Sequence, residues 1–228
     1  MCMGKTHALA GGAAGAACGE FILHAPWPVT AALAGYTAGM ALVNDLDQCG
    51  SSASRSLGFF SETIAWCIHK VSGGHRMGTH SALGIGLIAG LTWIACHWLG
   101  HWEAKAFLAI LITFACSAAL ECLHLLKSHA ADVTAIGITA ATVWFGYGLR
   151  LIPLAVLLGL CCHVGMDCLT KGGCPLAWPF SEYEFRWYPK KMAFTTDTWR
   201  EHLVVVPLLL IALAFLAWHA ANLPGIRL

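Results

Sequence analysis

Most of this chain is organised into long, predominantly apolar stretches. Ser81–Leu99, Ala106–Leu126, Ala131–Gly148, Leu151–Leu169 and Leu203–Ala221 each match the span of a bilayer core, which takes about 20 apolar residues, with a range of roughly 17–25. Inside hydrocarbon the backbone must satisfy its own hydrogen bonds, so segments of this length are helices. Pro28–Val43 is slightly short but suits a tilted or half-buried helix, and Thr6–Phe21, rich in Gly and Ala, adds a seventh candidate. The expectation is an all-α, polytopic helical membrane bundle with five to seven transmembrane helices. It forms a single integral-membrane domain over 1–228, with polar cytoplasmic loops at 44–80 and 171–201. Composition agrees: 58% of residues are hydrophobic and 11% charged, against roughly 25% charged in a soluble domain.

A net charge of +1 gives no basic surface for nucleic acid. The eleven cysteines include no Cys-x-x-Cys pair, so they form neither a zinc knuckle nor a redox motif. Inside apolar runs, Cys96, Cys116, Cys161 and Cys162 behave as small hydrophobes. Lys5 followed by Ala8–Cys18 superficially resembles a signal peptide, but the stretch is weakly apolar and Gly-rich, and a retained first helix is expected. Gly11, Gly15 and Gly19 stand four apart, as do Gly86 and Gly90. That spacing lets helices approach closely in lipid.

Counting helices assigns the loops to two faces. One carries Lys5, Arg55, Lys70, Arg76, Lys127, Lys171, Arg186, Lys190, Lys191 and Arg200; the other carries Lys105, Arg150 and Arg227. The positive-inside rule places the first in the cytoplasm.

Histidine is the unusual residue, its 12 copies equalling Asp and Glu together. On the basic face, four elements bring His and Asp to helix ends: Thr6-His7; Asn44-Asp45-Leu46-Asp47; Gly74-His75-Arg76-Met77-Gly78-Thr79-His80-Ser81; and His163 through Asp167 to Thr170. His163, Asp167 and Thr170 share one helical stripe. Asp45 and Asp47 are two apart, so an extended backbone points both carboxylates the same way. Such residues in a membrane protein face a cavity, pair, or bind an ion. His and Asp without thiolate suit Zn²⁺, Mn²⁺ or Fe²⁺. His7, Asp45, Asp47, His75, His80, His163 and Asp167 are the candidate ligands, enough for one or two ions. Arg76 and Lys171 are placed to hold an anionic group, with Thr170 beside them. Simpler roles exist for each piece. Asp-x-Asp after a helix also serves as a cap, and Thr79 can be an N-cap; Asp167 can pair with Lys171, four residues on.

Other polar groups are less suggestive. His97 and His101 lie at the opposite face with Trp98, Trp102 and Glu103, as in an interfacial aromatic belt. Glu121 and His124 share a helix face and fit an interhelical contact. Leu57–Val71 carries a helical stripe of Phe60, Ile64, Cys67, Ile68 and Val71, suited to a surface lid over the site or to packing on the bundle.

In their order, these motifs resemble the YdjM-like family of LexA-regulated bacterial inner-membrane proteins, described as membrane-bound metal-dependent hydrolases. The matching stretches are Lys5–Gly15, Asn44–Ser56, Gly74–Ser81 and His163–Phe180. The family usually has Pro before the first aspartate and His after the second; here these are Asn44 and Gln48. The resemblance implies an inner-membrane location, a link to the SOS response and metal-dependent hydrolysis, and names no substrate.

The functional expectation is a multi-pass membrane hydrolase facing the cytoplasm that cleaves a phosphoester in a phospholipid or other lipid-like substrate through a metal-activated water. Zn or Mn is the expected ion, membrane lipids or a lipid-linked molecule the partner, and nucleic acid is not one. Asp47, Arg76, His80 and Asp167 are the expected catalytic residues, and Arg76, Lys171 and Thr170 the substrate contacts. The alternative from another class is a small transporter or channel for a metal ion or proton using the same cluster. Internal repeats and broken helices near the midplane would favour it; no repeat is evident, and the polar cluster lies at one face rather than in the middle.

Overall fold

A computed structural model describes residues 4–222. Its helices are α1 (Gly4–Ala17), α2 (Trp27–Met40), α3 (Ser52–Arg55), α4 (Phe59–Val71), α5 (Ala82–His97), α6 (Trp102–Cys122), α7 (Ser128–Phe145), α8 (Ile152–Asp167) and α9 (Val206–Asn222). The fold is an all-α bundle, and β-pairing among the described residues is confined to isolated bridges, Thr170 with Phe194 and Cys174 with Phe185. Every apolar stretch read from the sequence becomes a helix. Trp102–Cys122, Leu149–Asp167 and Glu201–Asn222 are long and apolar enough to cross a membrane, while Ala82–His97 is apolar but shorter.

The first helix lies inside the bundle, packed against α2, α8 and α9. Its glycines make this possible. A Cβ on Gly11 would stand 2.6 Å from the Thr37 carbonyl oxygen, and one on Gly15 would stand 2.8 Å from that of Leu33. The second glycine pair behaves differently: nothing lies within 4 Å of a Cβ on Gly86 or Gly90. Their spacing therefore creates no helix contact within the chain, because α5 turns that face outward.

Packing continues through α2, which contacts α6 and α8, while α5 contacts α8 and α6 pairs with α7. Gly39 approaches Ala115 on α6, and Gly159 of α8 approaches Met40 and Ala41. The last helix sits at the periphery, with Leu216 its only residue buried in the bundle. At one end of the bundle α1, α5 and α9 begin while α2 and α8 end, and the candidate site forms there.

The amphipathic stripe at 57–71 becomes α4, which packs on the Val43–Asp47 turn and on α3. Ile64 and Ile68 reach the core, whereas Phe60 and Val71 are mostly exposed. His69 Nδ1 bonds the Asp47 carbonyl at 2.8 Å, so this helix braces the turn that carries the aspartates.

The glycine contacts carry an expected outcome. Gly39→Val and Gly159→Val force a side chain into backbone and should destabilise the protein by about 1–3 kcal/mol. Gly90→Ala should leave thermal unfolding in detergent unchanged. Equal melting temperatures for all three variants would refute the close packing.

Candidate metal centre

The site is assembled from four helix ends. His7 comes from the first turn of α1, and Asp45 and Asp47 from a 3-10 turn, Val43–Asp47, after α2. His75 and Arg76 lie in the loop before α5, His80 closes a 3-10 turn at Gly78–His80, and His163 and Asp167 lie on the last turns of α8. His7, Asp47, His80, His163 and Asp167 are completely buried and Asp45 nearly so.

Asp45 and Asp47 do not point the same way. The sequence expectation assumed an extended backbone, whereas the chain here is a 3-10 turn, in which residues two apart diverge. Asp45 faces inward, with Oδ1 3.7 Å from His163 Nε2. Asp47 faces the 75–80 loop. Its Oδ1 accepts from His75 Nδ1 at 2.7 Å, and its Oδ2 accepts from the Arg76 backbone N–H at 3.0 Å and from the Thr79 hydroxyl. Burial pushes the Asp47 carboxyl up, but hydrogen bonds from His75, His80 and Thr79 outweigh it and hold it below the usual carboxylate range. Asp45 has less help: burial pushes it up, partly opposed by the imidazoles of His7 and His80.

The hydrogen-bond pattern fixes the imidazole tautomers. His163 Nδ1 lies 2.6 Å from the Ala41 carbonyl, which only accepts, so Nδ1 carries the proton. Thr79 spends its single hydrogen on Asp47, so its oxygen accepts from His80 Nδ1 at 2.9 Å. In the neutral rings both Nε2 atoms then present lone pairs, and they face each other at 3.1 Å. No hydrogen stands between them. Such an arrangement is repulsive unless a cation or proton joins it. Two nitrogens on a tetrahedral zinc, each at ~2.0–2.1 Å, stand about 3.3 Å apart, so the observed spacing fits shared coordination. Backing a ligating histidine with a carbonyl or a carboxylate-linked hydroxyl is the usual way to aim it.

Carboxylates flank the pair. Asp167 Oδ2 is 3.8 Å from both His80 Nε2 and His163 Nε2, and its Oδ1 is 3.4 Å from His7 Nε2. His7 stacks on His163 with ring centroids 3.7 Å apart. Among the described residues, two groups are spaced to hold a metal: Asp45, His80 and His163, and His7, His163 and Asp167. They share His163, which has one lone pair to offer, so through that residue they describe one ion position at a time. Charge agrees as well. The site holds three buried carboxylates, Asp45, Asp47 and Asp167, and one guanidinium, Arg76, which pairs with Asp167; that leaves two negative charges for a divalent cation to balance. Asp45 Oδ1 and both His7 ring nitrogens are buried with no hydrogen-bond partner. The donor set therefore fits a divalent transition metal.

The other predicted residues fall around this cage. Asp167 pairs with Arg76 at 3.0 Å rather than with Lys171, and the Arg76 guanidinium also donates to the Gly173 carbonyl at 3.0 Å. A Cβ on Gly172 would collide with that guanidinium. His75 lies at the edge, with 26% of its side chain exposed. Lys171 is exposed, and the Thr170 hydroxyl donates to the Asp167 carbonyl at 2.8 Å, closing the end of α8. Thr79 is not the cap of α5; Ser81 is, accepting from the Gly84 N–H at 3.0 Å. Asn44 is fully buried with neither amide atom hydrogen-bonded. Sequence reasoning missed the Ala41 carbonyl, which no side-chain motif signals, and the buried Glu201.

A family profile described as YdjM inner membrane protein matches residues 1–224. No curated protein and no solved structure matches the chain.

Asp47→Ala strands the Thr79 hydroxyl and the Arg76 N–H, at about 1–3 kcal/mol for each buried donor left without an acceptor. A melting temperature lowered by several degrees, followed by tryptophan fluorescence, is the expected result. An unchanged one would remove Asp47 from its organising role.

Proposed function

The chain belongs to the YdjM inner membrane protein family, and on that premise we propose that it is a multi-pass metal-dependent hydrolase whose cage faces the cytoplasm. Its substrate in this reading is a phosphoester in a lipid-like molecule, and its cofactor is one divalent ion, zinc or manganese. The observation that carries the reading is the pair of aimed Nε2 atoms, 3.1 Å apart, with Asp45 and Asp167 on either side.

Asp45, His80, His163 and Asp167 would hold the ion, with His7 against His163. A divalent cation there supplies Lewis-acid polarisation and lowers the pKa of water to about 7. The remaining residues bind and move protons. Arg76 Nη2 and Nη1 are engaged by Asp167 and Gly173, a fixed fork suited to a phosphoryl oxygen. With 16% of its side chain exposed, it sits between the cage and the surface. His75, its Nδ1 held by Asp47 and its side chain 26% exposed at the edge of the cage, would exchange the proton as the leaving group departs.

A lipid-like substrate is supported by the surroundings. The loop following α8 exposes Phe180, Tyr183, Trp187, Tyr188 and Trp199, amphipathic rings of the kind that settle at headgroup level. Arg186, Lys190 and Lys191 lie in the same loop.

The test is metal content of detergent-purified protein together with hydrolysis of lipid monophosphates and phospholipids. About one equivalent of zinc or manganese is expected, with activity lost on chelation and restored by one metal. His80→Ala and Asp167→Asn should each lower turnover by at least ~100-fold. Stoichiometric metal with no hydrolysis, but metal flux into proteoliposomes, would replace the hydrolase with a transporter. Protein that takes up no metal would end the reading.

A further inference from the structure

The last helix touches the bundle lightly, yet one of its residues is completely buried beside the cage. Glu201 opens a π-helical turn, Glu201–Val205, that leads into α9, and its carboxylate is fully enclosed. Oε1 accepts from the Thr6 hydroxyl at 2.6 Å, and Oε2 accepts from the Asp197 backbone N–H at 2.8 Å. Thr6 directly precedes His7, whose ring stacks on His163 and faces Asp167. A second clasp lies outside it: Lys5 Nζ is 3.4 Å from His202 Nδ1, and His202 Nε2 is 2.9 Å from Asp197 Oδ1.

Enclosing a carboxylate costs several kcal/mol unless hydrogen bonds compensate, so a buried glutamate held by Thr6 and a backbone N–H has a demanding job. His7 itself has little local support. Its Nε2 stands 3.4 Å from Asp167 Oδ1, but its Nδ1 has no hydrogen-bond partner, unlike His80 and His163, which are each backed through Nδ1. The rotation of α1 is therefore the means of aiming His7, and the Thr6–Glu201 bond sets that rotation at the turn that matters. Single π-turns recur at functional sites; here one begins at Glu201, which is buried although the helix it leads into is largely exposed.

We infer that Glu201 is a positioning residue, acting through Thr6 to orient His7 toward the metal, so that the C-terminal helix completes the cage from outside. The inference rests on the metal-site reading above and assigns it a residue that no motif singled out.

The test measures zinc affinity by competition with a chromophoric chelator, using the full chain in detergent. Thr6→Val keeps the shape of the side chain and removes the donor; Glu201→Gln and Thr6→Ser accompany it. Outer partners of metal ligands are worth about 10–100-fold in affinity, so Thr6→Val and Glu201→Gln should each weaken zinc binding about tenfold, while Thr6→Ser restores it. The decisive comparison is made in a His7→Ala background, where Thr6→Val should cost nothing more. Unchanged affinity in Thr6→Val, or the same loss with and without His7, would overturn the inference while leaving the metal centre standing. A wild-type chain that binds no zinc would instead overturn the metal-site reading and this inference with it. Thr6→Val serves as the readout if Glu201→Gln does not fold.

Discussion

Enclosing three carboxylates and three imidazoles at one end of an apolar bundle is the constraint on which the rest depends. Ionised carboxylates removed from water cost several kcal/mol each even after relaxation. Asp47 meets that cost with an imidazole, a backbone N–H and a hydroxyl drawn from one loop. Asp167 meets it with Arg76 and His7. Asp45 is the exception, since its Oδ1 has no hydrogen-bond partner and the imidazoles beside it are aimed with lone pairs forward. A centre of that kind is arranged around positive charge, and its chemistry follows from the same imbalance.

The bundle is shaped to keep this centre together. Glycines on α1 bring the backbone of that helix against α2, which allows His7 to reach His163 across the core. Gly159 likewise brings α8 against the end of α2, close enough for His163 to donate to the Ala41 carbonyl. The helix packing and the histidine tautomers are therefore one problem. A looser bundle would free Nδ1 of His163 and lose the aim of its Nε2. Helix α4 adds a brace from the surface, holding the Asp47 carbonyl through His69.

Much of the architecture was legible in the sequence because a bilayer admits few solutions. Length and apolarity sufficed for the helices, and counting them brought His7, Asp45, Asp47, His75, His80, His163 and Asp167 to one end. The pairing of His163 with Asp167 followed from helical periodicity alone. Finer geometry was not legible. Asp45 and Asp47 separate because their turn is 3-10, a local choice that two-residue spacing does not reveal. Gly86 and Gly90 carry the same spacing as the glycines of α1 but face outward, since spacing says nothing about which side of a helix finds a neighbour.

What the sequence determined by itself was the list of segments, their apolar lengths and the end of the bundle at which its ionisable residues gather. Those properties depend on periodicity and on the requirement that a buried backbone satisfy itself. Tertiary structure decided which residues face the ion position and which support it. It turned Thr79 from a cap into the link between Asp47 and His80, gave Asp167 to Arg76, and brought Glu201 to Thr6 across a separation of 195 residues. The reason is that a hydrogen bond's partner is set by direction and distance within about 3 Å. Only the packed helices supply both.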